Sequence, residues 1–581
     1  MRNKNRVGEC LKEIFSKEKN HIWLFLSSLT LLTIFMTLCY QPSLNEVYGH
    51  DIHFHYRRLN ALMDSLREGT FPTYIDYNAA QGFGYATKWF YPDFLLIPFA
   101  LIGNITGTTF AYKLILLIMT FLCGLFSYLL IKKVFKSTFA ASTGALLYTF
   151  SFYRLLDLYT RSALGEAISF TLIPIVFLGL YEIIKGNYKR WYIITMGFSL
   201  LIHTHILSSL LTMFFVIIFL LIYYKNMINE PKRIKYLIIA AIATIPLTAY
   251  FIFPLLEQMQ SNTFYYQQMT DTLLPFKNKL SIKEIILGTT SGFIPKQYAF
   301  IPGTGLLLTL GIITRIFIRK NKTEEIKLAD TGLVIGIICI LLTLTFIPWA
   351  RFPFTLFSVI QFPWRLFQFT SFFFAISSGY YLSVLIKKRK AKYVTLTITI
   401  VTTMFMILIE GYNYKTSPNM IYSITKDDLQ NPLPTIKNHF NLGNLEYIPD
   451  RFPCYPKIRY PDTDYLHERS GIIKKQNVET TIENYNKTNG ITRFDIKISK
   501  PDTLEMPLFF YKGYMVTLNN KEHSFQQSNE GLIKIPVTES GKMQIWYYGT
   551  LIQNISFYIT IVSILLLCIY VFFFERKNKI K

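Results

Sequence analysis

Nearly uncharged apolar segments of about 17 to 24 residues recur along almost the whole chain, each long enough for a helix to cross roughly 30 Å of hydrocarbon with its backbone hydrogen bonds closed internally. The pattern predicts spans near 22–40, 110–131, 137–152, 164–184, 190–206, 207–224, 236–256, 301–318, 330–349, 368–386, 393–411 and 551–574. A chain that is 51% hydrophobic and 16% aromatic over 581 residues is too evenly apolar for an ordinary soluble enzyme. The expected fold is an all-α polytopic membrane domain of about 12 spans, with a β-rich domain inserted before the last one.

The formal net charge of +24 argues for topology rather than for nucleic acid as a partner. Its excess falls in short loops: Lys132, Lys133 and Lys136; Lys185, Lys189 and Arg190; Lys225, Lys232, Arg233 and Lys235; Arg319, Lys320 and Lys322; Lys387 to Lys392; Arg576 to Lys581. All of these lie on the cytoplasmic side only if 91–108 does not cross. Phe90-Tyr91-Pro92-Asp93-Phe94-Leu95-Leu96-Ile97-Pro98 carries two prolines and an aspartate, and is expected to be an interfacial helix on the outer side. Both termini are then cytoplasmic, and 22–40, with no small-residue cleavage site behind it, reads as an uncleaved anchor. Cys39, Cys123, Cys339 and Cys568 fall in spans, Cys10 in the tail, and Cys454 outside, so there is neither a disulfide framework nor a Cys-based zinc spacing.

The chain divides into a membrane domain (1–411) with a long first external loop (41–109), an external domain (412–550), and a closing span with a basic tail (551–581). In 412–550, runs such as Thr492-Arg493-Phe494-Asp495-Ile496-Lys497-Ile498 alternate with the period of half-buried strands. Asn489-Gly490, Lys512-Gly513, Asn519-Asn520 and Ser540-Gly541 supply turns for an antiparallel, sandwich-like arrangement. Glu166, Glu182, Glu257, Arg315, Asp330 and Glu410 sit at or near the ends of spans, whereas ion-coupled transporters usually place ionisable groups near the midplane.

Chemistry concentrates where the first span ends. Gly49-His50-Asp51-Ile52-His53-Phe54-His55-Tyr56-Arg57-Arg58 puts an acid, three imidazoles and two guanidiniums at a lipid–water boundary. Helical periodicity over 50–68 aligns Ile52, Tyr56, Leu59, Met63 and Leu66 on one stripe, with Asp51, His55 and Arg58 beside it. A surface helix merely capped by Asp51 is the competing account. His203-Thr204-His205, with His50, His53 and His55, offers imidazoles for a divalent metal, although alternate histidines on a helix point apart.

Gly49-His50-Asp51 through Gly69-Thr70-Phe71-Pro72, then Gly82-Phe83-Gly84-Tyr85 and Phe90-Tyr91-Pro92, are similar to a bacterial group labelled 6-pyruvoyl-tetrahydropterin-synthase-related membrane proteins. Over residues 20–210 the order of span, acidic motif and interfacial loop resembles the GT-C superfamily of polyprenyl-phosphate-sugar glycosyltransferases. Gln361-Phe362-Pro363-Trp364-Arg365 and Leu504 through Tyr514 also resemble large membrane proteins that glycosylate teichoic acids and other cell-wall polymers.

The resemblance implies an inverting transfer of sugar from a polyprenyl-phosphate carrier to a cell-envelope glycopolymer, outside the bacterial plasma membrane. Asp51 matches the superfamily's acidic residue and is expected to act as general base. Arg58, Lys88, Arg161 and Arg365 are the expected phosphate and donor contacts, with His50, His55, Asp157 and Glu166 in support. A snorkelling Lys88 and an intrahelical Arg161–Glu166 pair are the simpler alternatives. Some members of the superfamily use a divalent ion, for which His53, His55, His203 and His205 are the candidates. A lipid-linked-saccharide flippase and a catalytically silent envelope-assembly protein are the alternative functions.

Overall fold

The computed structural model describes residues 2–40, 46–267, 278–290, 301–319, 323–416, 421–423, 445–454 and 461–580. The main helices are α1 (Arg2–Cys39), α2 (Ile52–Arg67), α3 (Ile97–Thr106), α4 (Thr108–Phe135), α5 (Thr138–Thr149), α6 (Leu164–Ile184), α7 (Tyr192–Ile202) and α8 (Ile206–Ile222). They continue as α9 (Lys232–Leu247), α10 (Ala249–Ser261), α11 (Gly305–Ile313), α12 (Glu324–Leu342), α13 (Phe367–Leu385), α14 (Arg389–Thr416) and α15 (Leu551–Ile580).

Every predicted span falls on helix, but not every helix is a span. Among the described residues, five are long and apolar enough to cross a membrane: His21–Cys39, Thr108–Phe135, Leu164–Ile184, Arg389–Lys415 and Leu551–Arg576. A sixth arises if α9 and α10, bent by 70° at Thr248, count as one. The expected count of about 12 is therefore corrected. Polar residues cut the apolar runs: His203-Thr204-His205 separates α7 from α8, and α5 is only 12 residues long. In α13, Gln368, Thr370, Ser371, Ser377 and Ser378 dilute the phenylalanines. The stretch 91–108, expected not to cross, holds a short apolar helical run, Phe94–Thr106.

Helices α4, α5, α6, α12 and α13 form the centre of the bundle. Small residues allow their backbones to meet: a Cβ on Gly379 would lie 2.5 Å from the Ala140 carbonyl oxygen and 2.9 Å from Gly144 Cα. Such close approach replaces the hydrophobic drive that is absent between helices in lipid. By contrast α15 packs on α10 yet leaves Leu565, Leu566, Phe572 and Phe573 exposed, as a lipid-facing helix must.

Strands β1 (Glu46–Tyr48) and β2 (Ile421–Ser423) pair antiparallel and tie the segment before Asp51 to the one after α14. The remaining strands are β3 (Lys474–Lys475), β4 (Thr481–Thr488), β5 (Ile491–Lys497), β6 (Asp502–Phe509), β7 (Tyr514–Leu518), β8 (Lys521–Glu522), β9 (Gln526–Gln527), β10 (Leu532–Val537) and β11 (Gly541–Tyr547). They make two sheets, ordered β9-β10-β6-β3 and β4-β5-β11-β7-β8. Alternate residues of both, among them Phe494, Ile496, Leu504, Val516, Ile535 and Ile545, fill one core. The Asn489-Gly490 and Asn519-Asn520 turns are two-residue hairpins with both central residues at positive φ, the conformation those residues favour.

A second cluster docks the sheets on the bundle. Phe83, Tyr85 and Trp89 of the first loop pack with Phe264, Tyr265, Phe452, Phe509 and Tyr511, and the Phe509 amide donates to the Phe83 carbonyl over 3.0 Å.

Candidate functional site

Asp51 stands at the entrance to α2, held there by backbone rather than by its own side chain. Between Phe152–Leu156 and α6 the chain makes a π turn over Asp157–Arg161 and then a left-handed residue, Ser162 at φ 52°. Carbonyls at such a break lack helical partners and are open to other donors. The His50 and Asp51 amides take them, bonding the Thr160 and Arg161 carbonyls at 3.1 and 2.9 Å. Gly49 makes this approach possible: its φ is +124°, and a Cβ would overlap the Ser162 hydroxyl. Although Asp51 occupies the capping position, its side chain makes no capping hydrogen bond and is exposed, so the account of it as a mere cap fails.

Beside Asp51 lie two buried groups of cations. In the first, Asp93 receives Arg58 Nε at 2.7 Å on one oxygen and Lys88 Nζ at 3.0 Å on the other. Arg58 also donates to the Pro92 carbonyl and to His55 Nδ1, both over 3.3 Å, and faces the Tyr91 ring. Lys88 is buried, so the alternative of an exposed snorkelling lysine does not hold. Burial, reinforced by the charges of Arg58, His205 and Arg161, pushes His55 well below the usual imidazole range, leaving it neutral with its proton on Nε2.

In the second group, Glu166 accepts from Arg161 Nη1 at 2.7 Å, Arg365 Nε at 3.2 Å and the Tyr153 hydroxyl at 2.8 Å. The Arg161–Glu166 pair that the simpler alternative expects is thus present, though across a helix break rather than within one helix; Arg161 also pairs with Asp157 and lies over Trp364. Arg365 is steadied by Gln361 Oε1 at 2.6 Å and the Ile360 carbonyl at 3.0 Å, and lies over Phe362. Burial, with Glu166 nearby, drives the Asp157 carboxyl well above the usual range. In the first group Arg58 and Lys88 both meet Asp93, and in the second Arg161 and Arg365 both meet Glu166, so that each places two cations together at low dielectric.

The two groups and Asp51 lie within electrostatic reach of one another around the N-terminal end of α6, a region termed the cleft. The Asp51 charge reaches Arg161, and Tyr91 lies among Asp51, Arg365, Glu446 and Arg58. Tyr447 stacks on Phe90 with ring centroids 4.2 Å apart, giving the cleft an aromatic edge. Nine of the expected residues, His50, Asp51, His55, Arg58, Asp157, Arg161, Glu166, His205 and Arg365, therefore meet, and Lys88 joins through Asp93.

His203 does not join them: its Nε2 lies 3.0 Å from the Leu247 carbonyl and its ring stacks on Phe94. His205 caps α8, with Nδ1 accepting from the Ser208 amide at 3.3 Å. The side chain of His53 lies outside the described residues. Among the described residues no three His, Cys, Asp or Glu side chains converge on a metal position.

Asp93, Tyr153, Gln361 and Glu446 were not expected from sequence. An aspartate between two prolines in an otherwise apolar run was the available signal for Asp93, because a charge there needs a partner.

No family model matches the chain. A protein of Lactococcus lactis subsp. cremoris (strain MG1363), described as uncharacterized, is 25% identical over 261 residues, or 43% of this chain and 42% of its own length. The alignment thus spans under half of that relative.

Proposed function

We propose that this chain is a GT-C-like membrane glycosyltransferase that moves a sugar from a polyprenyl-phosphate carrier to a cell-envelope glycopolymer. The observation that carries the reading is one exposed carboxylate set beside two buried groups that each bring two cations together. A phosphate leaving group needs little protonation but is stabilised by fixed positive charge where water is excluded. Arg58 with Lys88, and Arg161 with Arg365, supply that charge, while Asp93 and Glu166 hold the side chains in place. The acceptor hydroxyl oxygen bonds to the anomeric carbon from the face opposite the phosphate and its proton passes to Asp51. As the bond from carbon to phosphate oxygen breaks, its electron pair leaves with the lipid phosphate, and the anomeric configuration inverts.

In this reading the long apolar helices cross the bacterial plasma membrane, with both termini cytoplasmic. The cleft and 412–550 face outward. No step is routed through a divalent ion.

The test is transfer from a polyprenyl-phosphate-linked sugar by purified protein, with and without Asp51→Asn. Loss of product with unchanged lipid binding and thermal stability supports the assignment. Normal turnover by the variant removes Asp51 as base, and lipid translocation without transfer favours the flippase.

A further inference from the structure

The bundle contains a second recess, remote from Asp51. It lies between α4, α6, α8, α12 and α13 and encloses about 630 Å³ not filled by protein atoms, part of it open at the mouth. Its inner end is made by the buried rings of Phe177, Phe219 and Phe373, and its half-buried mouth includes Tyr181, Lys185 and Tyr223. Tyrosine and lysine at one end and phenylalanine at the other are the marks of a slot that starts at the headgroup level and runs into hydrocarbon.

Position along α6 agrees. Lys185 follows Glu166 by 19 residues, which puts the mouth about 28 Å along the helix axis from the cleft, close to the thickness of the hydrocarbon layer. From Phe177 to Lys185 the slot covers about 12 Å, or somewhat less than one leaflet. A chain entering at Lys185 therefore comes from the leaflet opposite the cleft.

The charge at the mouth fixes the headgroup. Lys185 Nζ lies 4.6 Å from the Tyr223 ring centroid and 3.2 Å from Glu324, an exposed carboxylate shared with Lys327. Next to it Lys133 and Arg190 share Glu182, and Arg190 also meets Glu575. Lys133, Lys185, Arg190 and Lys327 face Glu182, Glu324, Glu325 and Glu575 there, and Lys185 is the cation that lines the slot itself. The pairs on Glu324, an exposed carboxylate, are weak and exchange readily for a better anion, whereas Glu182 is buried.

We propose that this slot holds one acyl chain of an anionic phospholipid of the leaflet opposite the cleft, its phosphate seated at Lys185. The site is independent of the transfer reaction, and no part of it touches Asp51 or the four cations of the cleft.

The test extracts the full-length protein from vesicles of equal parts phosphatidylglycerol and phosphatidylcholine and measures co-purified lipid by mass spectrometry. One cation at a membrane surface contributes about 1 kcal/mol, so retention should favour phosphatidylglycerol about fivefold. Lys185→Gln should abolish that preference with total lipid kept, and Leu180→Trp, which fills the slot, should lower total lipid. Equal retention of the two lipids, an unchanged preference in Lys185→Gln, or displacement of phosphatidylglycerol by added polyprenyl phosphate would each overturn the proposal. Ile376→Trp, at the half-buried mouth, replaces Leu180→Trp if that variant aggregates, and unchanged lipid in it counts equally against the slot.

Discussion

Asp93 and Lys88 allow the division between structural and functional charge to be measured. Asp93 is the one carboxylate bonded to both Arg58 and Lys88, and the three side chains are 4%, 5% and 9% exposed for Arg58, Lys88 and Asp93 respectively. Asp93→Asn strands two buried cations, and breaking a buried ion pair from one side costs about 3–5 kcal/mol. Lys88→Met instead removes the second cation, keeps most of the side-chain volume and leaves Arg58 matched to Asp93, so its effect on stability should be about 1 kcal/mol or less. Transfer should nevertheless fall about 100-fold, the loss typical of removing one donor to a developing anion.

The assay is thermal unfolding of the purified protein in detergent, followed by intrinsic fluorescence, alongside the rate of sugar transfer. The double variant should recover part of the Asp93→Asn loss, since Arg58 then faces no second cation. If Lys88→Met destabilises as much as Asp93→Asn, or keeps full transfer activity, Lys88 is a counter-ion and the idea that two cations are brought together for transfer is wrong.

Gly49→Ala should cost about 1–3 kcal/mol, from its left-handed backbone and from the clash with Ser162, and should slow transfer by displacing Asp51 while lipid binding persists. Unaltered kinetics would show that the Gly49 contact does not position the acid. His55 adds a pH dependence. Its folded pKa is depressed, so below about 6.5 the unfolded chain takes up a proton that the folded one refuses. Stability should then fall by up to about 1.4 kcal/mol for each pH unit below 6.5, until the folded pKa is reached. His55→Gln should flatten that slope in urea titrations at several pH values; an unchanged slope would assign it to other groups.

Residue chemistry at the cleft was legible because it is local. Gly49 through Arg58 is one short run with an acid, imidazoles and cations in helical register, and α2 follows it as the periodicity requires. The β-hairpins were legible for the same reason, since Asn-Gly and Asn-Asn favour positive φ whatever surrounds them. What joins Arg365 to Glu166, or Lys88 to Asp93, is tertiary packing, and nothing in the sequence separates a buried lysine from a snorkelling one. Helix lengths were misjudged where hydropathy averages over a break: 236–256 reads as one span in a window of about 19 residues, yet the chain bends by 70° between α9 and α10.

The contact between the first loop and the sheets has a consequence for biogenesis. Trp89 meets Tyr511 edge to face with ring centroids 5.2 Å apart, and Phe83 packs at a tilt on Phe509 at the same separation. The segment bearing Lys88 leaves the ribosome long before its packing partners at Phe509 and Tyr511. A nascent chain that has inserted most of its helices would still lack the surface that anchors this loop. Competence would then be acquired late in translation, so products of premature termination would occupy the membrane without catalysing transfer.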